Sequence, residues 1–119
     1  MALYTNLPVY KFGYDLLRET HNLTKTFKRE HKYTLGEKLK EESLQLVIQV
    51  YKANKSKNQA RINNIDVARE HIEVLRLLFR ITKDLEVIGT KTYIQINIKI
   101  EELSKQLTAW QKYTARAIV

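Results

Sequence analysis

The sequence contains no cysteine, one proline and three glycines in 119 residues. The missing cysteine excludes a disulfide framework, Cys-ligated zinc, iron–sulfur chemistry and thiol catalysis. So little proline and glycine leaves few sites for tight turns, which disfavours a many-stranded sheet and favours a handful of long helices. No apolar run approaches the roughly 20 residues that a membrane span needs. The opening stretch, Met1 to Tyr10, lacks the charged start and apolar run of a secretory signal. These absences predict a soluble, cytoplasmic, all-α chain with no membrane partner. Acidic residues are also scarce: 21 Lys and Arg stand against 13 Asp and Glu, a net charge of +8. Such an excess gathers polyanions, nucleic acid or an anionic membrane surface. The plain alternative is a soluble protein that is merely basic. At 14.1 kDa the chain forms one domain over 1–119.

What is present is helical periodicity. Pro8 suits the first turn of a helix, with its fixed φ and absent N–H. Val9, Leu16, Leu23 and Phe27 then share a stripe, widened by Tyr10, Tyr14 and Leu17. Thr34 and Glu37 have the spacing of a capping box, in which the Thr hydroxyl accepts from the N–H three residues on. Leu35, Leu39, Leu46 and Val50 follow on one face. Ile65, Ala68, Ile72, Leu75, Phe79 and Thr82 step by three and four, and Gly89 stands where a left-handed residue closes a helix. Tyr93, Ile96, Ile100, Leu103, Leu107 and Trp110 repeat that step, which outweighs the two-residue alternation from Ile94 to Ile100. The expectation is an antiparallel up-down-up-down four-helix bundle, with helices at about 8–28, 34–54, 60–88 and 90–113. A short extension precedes it and a loose tail, Thr114 to Val119, follows.

Catalytic patterns are missing. The chain has no Gly-rich phosphate loop, no nucleophile elbow and no Glu-x-x-His pair of the di-iron type. His21 is expected at the edge of the first apolar face, partly buried, and His31 and His71 in solvent. No catalytic residue, metal ligand or cofactor is assigned. Basic residues are better ordered. Lys11, Arg18 and Lys25 recur every seven residues opposite the first apolar stripe, and Lys28, Arg29 and Lys32 continue beyond them. Lys55, Lys57 and Arg61 cluster between the second and third helices. Arg69, Arg76, Arg80 and Lys83 step by seven, four and three along the third. Each stripe reads either as a solvated face or as a surface for phosphate.

The excess charge is uneven. Residues 8–33, 54–61 and 88–119 each carry a net +3, residues 34–53 are neutral, and residues 62–87 carry −1. Arginines in that acidic third segment suit specific bidentate contacts better than action through a bulk field. Tyr10, Tyr14, Tyr93 and Trp110 fit core stripes. Tyr4, Tyr33 and Tyr113, at ends and junctions, read as half-buried anchors that could alternatively stack on bases.

Several blocks together resemble a known family. They are Leu7-Pro-Val-Tyr-Lys11, Tyr14-Asp-Leu-Leu17, Tyr33-Thr-Leu-Gly-Glu37, Leu75-Arg-Leu-Leu-Phe-Arg80, and the run from Leu103 through Leu107 to Trp110-Gln-Lys112. The chain is similar to the accessory variability determinant (Avd) proteins of diversity-generating retroelements. That superfamily includes bundles encoded by intervening sequences in rRNA genes, whose Ser-Ile-Pro-Ser-Asn-like stretch is replaced here by Ser43-Leu-Gln-Leu-Val-Ile-Gln-Val50. The resemblance implies a non-enzymatic, basic homopentamer that partners a reverse transcriptase and RNA or DNA during mutagenic retrohoming. It implies that Arg76 and Arg80 contact the polymerase, with Lys83 and Arg69 beside them. Lys11, Arg18, Lys25, Lys28, Arg29, Lys32, Lys55, Lys57 and Arg61 are then the residues assigned to nucleic acid. An RNA- or ribosome-associated bundle of the intervening-sequence type is the alternative.

Overall fold

The computed structural model describes residues 7–118. Five helices follow in order: α1 (Pro8–Thr24), a single turn α2 (Arg29–Lys32), α3 (Leu35–Lys55), α4 (Asn58–Asp84) and α5 (Thr90–Ala117). The four long ones form the expected antiparallel bundle. The chain packs α1 on α3, α3 on α4, α4 on α5, and closes the ring with α5 on α1. The rod measures 50 × 20 × 19 Å. Three short junctions leave no room for a crossover, so each long helix reverses its predecessor.

The core is the set of stripes read from the sequence. Leu16, Leu39, Leu46, Val50, Ile65, Ile72, Leu75, Phe79, Ile96, Ile100, Leu103 and Leu107 are fully buried. Each such side chain contributes about 1.5–3 kcal/mol of transfer free energy. The β-rich stretch of α5 is helical because Ile96 and Ile100 enter this core, with Leu103 and Leu107 behind them. Its second flank, Ile94 and Ile98, stays on the outside.

The helix ends depart from expectation in four places. First, α1 stops at Thr24 rather than near residue 28, and part of the connection coils into α2. Second, the capping box does not form. Thr34 donates its hydroxyl proton to the Glu30 carbonyl at 3.1 Å, and Glu37 pairs with Lys40 at 2.8 Å. The α2 turn sets acceptors before Thr34, and they capture the hydroxyl. Third, Gly89 has φ −77° and is the N-cap of α5, so Thr90 is the first helical residue. The left-handed residue after α4 is Glu86, at φ 60°. Its N–H donates to the Lys83 carbonyl at 2.9 Å and that of Val87 to the Thr82 carbonyl at 3.0 Å. This is the paired Schellman closure, with glutamate where glycine is usual. Fourth, residues 114–117 are helical rather than loose. Helix α5 continues to Ala117, and buried Thr114 donates to the Trp110 carbonyl at 2.9 Å.

Among the aromatic residues, Tyr10, Tyr93 and Trp110 pack against the core as expected. Tyr14 does not: it is exposed and stacks on Tyr10. Tyr33 and Tyr113 are not half-buried anchors but stand in solvent. Tyr4 lies outside the described residues.

Truncating Leu75 to Ala should lower stability by about 2–5 kcal/mol in urea unfolding; a loss below about 1 kcal/mol would mean the α4 stripe is misassigned. A left-handed L-residue costs about 1–2 kcal/mol, and glycine gives back about 0.5–1 of that as entropy. Glu86→Gly should therefore stabilise the chain by about 0.5–1 kcal/mol in the same assay, and an unchanged midpoint would refute strain at that turn.

Candidate nucleic-acid interface

One end of the bundle gathers the start of α1, the end of α3, the start of α4 and the end of α5. The junction there is short, since Ser56 and Lys57 alone separate α3 from α4. Arg61 closes it. Its Nε donates to the Ala53 carbonyl at 3.0 Å and a terminal nitrogen to the Asn54 carbonyl at 3.1 Å. These are orphan acceptors at the C-terminus of α3, which a helix cannot satisfy by itself. The same guanidinium lies 5.8 Å from the centre of the Trp110 ring, so one side chain joins α3, α4 and α5. Asn64 donates to the Ser56 hydroxyl at 3.1 Å, and that hydroxyl donates to Ala53 O at 3.0 Å.

The charge at this end is one-sided. Its segments, residues 7–14, 50–65 and 103–118, hold Lys11, Lys52, Lys55, Lys57, Arg61, Lys105, Lys112 and Arg116, with no Asp or Glu. Removing those eight from the chain's 21 basic residues leaves 13, against 13 acidic ones. This pole is the most basic part of the molecule; the opposite end, residues 20–38 and 80–95, has eight basic and four acidic side chains, and the middle of the rod is net acidic. Lys11, Lys52, Lys57, Lys105, Lys112 and Arg116 are exposed, and among the described residues none has a carboxylate partner. Lys55 lies with its ammonium 5.7 Å from the Tyr51 ring centre.

The residues assigned to nucleic acid are thus divided. Lys11, Lys55 and Lys57 lie at this pole, and Arg61 is there too but its guanidinium is committed to α3. Arg18 is exposed midway along α1. Lys25, Lys28, Arg29 and Lys32 lie at the opposite pole, among Glu30, Glu37, Asp84 and Glu86. Lys52, Lys105, Lys112 and Arg116 were not singled out in the sequence. The signal existed in the segment charges, because residues 54–61 and 88–119 each carry +3, but only the topology joins them.

The α4 arginines are tied to neighbours. Arg69 meets Asp66 at 3.3 Å and Arg80 meets Asp84 at 3.3 Å. Arg76 reaches Glu73 at 3.4 Å and also pairs with Glu101, bridging α4 to α5. Lys83 lies 5.2 Å from the Tyr93 ring centre. Arg76, Leu77, Arg80, Tyr93, Asn97 and Glu101 line a shallow groove between the two helices. Exposed Leu77, Ile94 and Ile98 flank it.

The histidines fall elsewhere than expected. His71 is not a solvated surface residue: its Nδ1 lies 2.5 Å from Glu42 on α3, and both are half-buried. His31 is also half-buried, and His21 is exposed. The described residues form no cluster of metal ligands, and no ionisable side chain among them is buried inside the bundle. No described helix is long and apolar enough to cross a membrane.

The arrangement defines a class: a basic four-helix bundle with a polycationic pole and a mixed arginine–aliphatic side face. The profile of the bAvd-like family matches residues 8–114, and the chain belongs to that family. A crystal structure of a protein of unknown function from the S23 ribosomal protein family of Bacteroides thetaiotaomicron superposes with a TM-score of 0.81. The two are 18% identical, over 87% of this chain and 95% of that one, a likeness of fold. No curated protein matches the chain.

Because Arg61 is committed to α3, Arg61→Met should destabilise the protein by about 1–3 kcal/mol, as loss of charge-assisted bonds to buried carbonyls does. Lys57→Ala should leave stability unchanged and lower the salt slope of nucleic-acid binding by about one. The opposite pattern in paired unfolding and binding titrations would reverse these two roles.

Proposed function

We propose that this protein is a non-enzymatic accessory factor of a diversity-generating retroelement, a basic homo-oligomeric scaffold that holds template nucleic acid and reverse transcriptase together. The observation that carries the reading is the acid-free pole. Clustered lysines that lack carboxylate partners neutralise phosphates and release their counterions. Such contacts fix position without reading sequence. Membership of the bAvd-like family supports the retroelement role, and the family resemblance supplies the number of five copies and the polymerase as partner.

The polymerase would meet the α4–α5 face. Arg80, with Arg69 and Lys83, supplies charge there, and Leu77, Ile94 and Ile98 supply apolar area, a mixture suited to a protein contact. Arg76 holds α4 to α5 beneath it. Tethering the two partners on one assembly raises their effective concentration, with no chemical step by the scaffold itself. A bundle associated with RNA in the manner of intervening-sequence proteins would share the fold. The stretch Ser43 to Val50, which lacks that branch's pattern, favours the retroelement reading.

Light scattering should give the mass of about five chains, and log affinity for structured RNA should fall linearly with log salt. A monomer indifferent to RNA at low salt would overturn the proposal. Leu77→Ser combined with Arg80→Glu should leave the bundle folded and abolish co-purification with the polymerase; retained co-purification would place the docking face elsewhere.

A further inference from the structure

The basic pole carries aromatic rings as well as charge. Tyr113 is 70% exposed and lies between Lys112 and Arg116 on the last turns of α5. Tyr51 is 40% exposed near the end of α3, with the Lys55 ammonium beside its ring. Tyr14 is 44% exposed on α1 and stacks on Tyr10, their centroids 6.1 Å apart and their planes 21° from parallel. Partly exposed tyrosines thus stand among lysines in segments that hold no Asp or Glu.

Phosphate binding alone does not call for this. A duplex hides the faces of its bases in its own stack, so an exposed ring gains little from one. An unpaired strand offers those faces, and stacking on aromatic side chains beside a cationic track is how single strands are held without sequence readout. We propose that the pole binds unpaired nucleic acid, its phosphates on Lys52, Lys57, Lys112 and Arg116 and its bases stacked on Tyr113 and the α1–α3 tyrosines. The inference rests on the nucleic-acid reading above and narrows it to the strand state of the ligand. Both RNA and DNA present this chemistry.

Tyr33 supplies an internal control. It is 66% exposed, but at the opposite pole, where Glu30, Glu37, Asp84 and Glu86 interleave with Lys28, Arg29, Lys32 and Lys38.

The test is fluorescence anisotropy at fixed salt with three probes of about 16 nucleotides, the upper site size of common single-strand binders. The probes are single-stranded RNA, single-stranded DNA and an RNA duplex. The intact protein should bind both single strands more tightly than the duplex. Tyr113→Ala should weaken single-strand binding by about tenfold and leave duplex binding within about twofold. Tyr113→Phe should retain full affinity, and Tyr33→Ala should change nothing. Lys112→Glu should weaken all three probes.

Equal loss on single strand and duplex for Tyr113→Ala, or no loss on either, would overturn the inference. If the protein also binds duplex and single strand alike, the phosphate-based scaffold stands and only the stacking fails. Failure of the intact protein to bind any probe would overturn both.

Discussion

Arg61 is the side chain on which the basic end of the molecule depends. A helix that ends on a two-residue junction exposes carbonyls with no room for a looser cap. The guanidinium supplies two donors in a fixed plane, which a lysine cannot do, and lies 5.8 Å from the centre of the Trp110 ring. One contact therefore closes α3, starts α4 and anchors α5 near its end. The lysines around it are free of that duty. The end of α3 and the start of α4 stay in register, and cations from four helices share one surface.

The antiparallel order decides what that surface can be. Two helix starts and two helix ends meet at the pole, so their macrodipoles offset one another. The field there comes from side chains alone. Along the middle of the rod the charges are largely matched. Lys99 pairs with Glu19 and Arg76 with Glu73 and Glu101, while the His71 ring shares a hydrogen bond with Glu42. The more exposed of these pairs add little stability. Their larger effect is to leave the sides of the bundle without a positive excess and the pole strongly positive.

The fold was legible because it rests on periodicity. Steps of three and four at Ile65 to Thr82, and again at Tyr93 to Trp110, determine which face is buried whatever happens at the helix ends. The ends were less legible because several local partners compete for the same groups. Thr34 had an N–H ahead of it and carbonyls behind it, and the α2 turn decided for the carbonyls. Gly89 permitted a left-handed turn, but packing of Val87 and Ile88 against the core placed that turn at Glu86. The pole was the least legible feature. Lys52 follows the acidic first half of α3 in sequence, and Lys112 and Arg116 are more than fifty residues from Lys57. Counting charge along the chain dilutes them; only reversal of direction at each junction stacks them together. Arg61, expected in the connection, lies inside α4, and nothing in its spacing marks a side chain turned back onto the preceding helix.

A rod 50 Å long with eight unopposed cations in the segments of one end, a weaker excess at the other and an acidic middle is an electrically uneven particle. In a polyanion's field it feels a torque before it feels a contact, so it arrives end first. At physiological ionic strength the Debye length is about 8 Å. The two ends thus lie several screening lengths apart. A surface at the far end is therefore electrostatically independent of whatever occupies the more basic one, so two sites at opposite ends of such a rod would fill without sensing each other's charge.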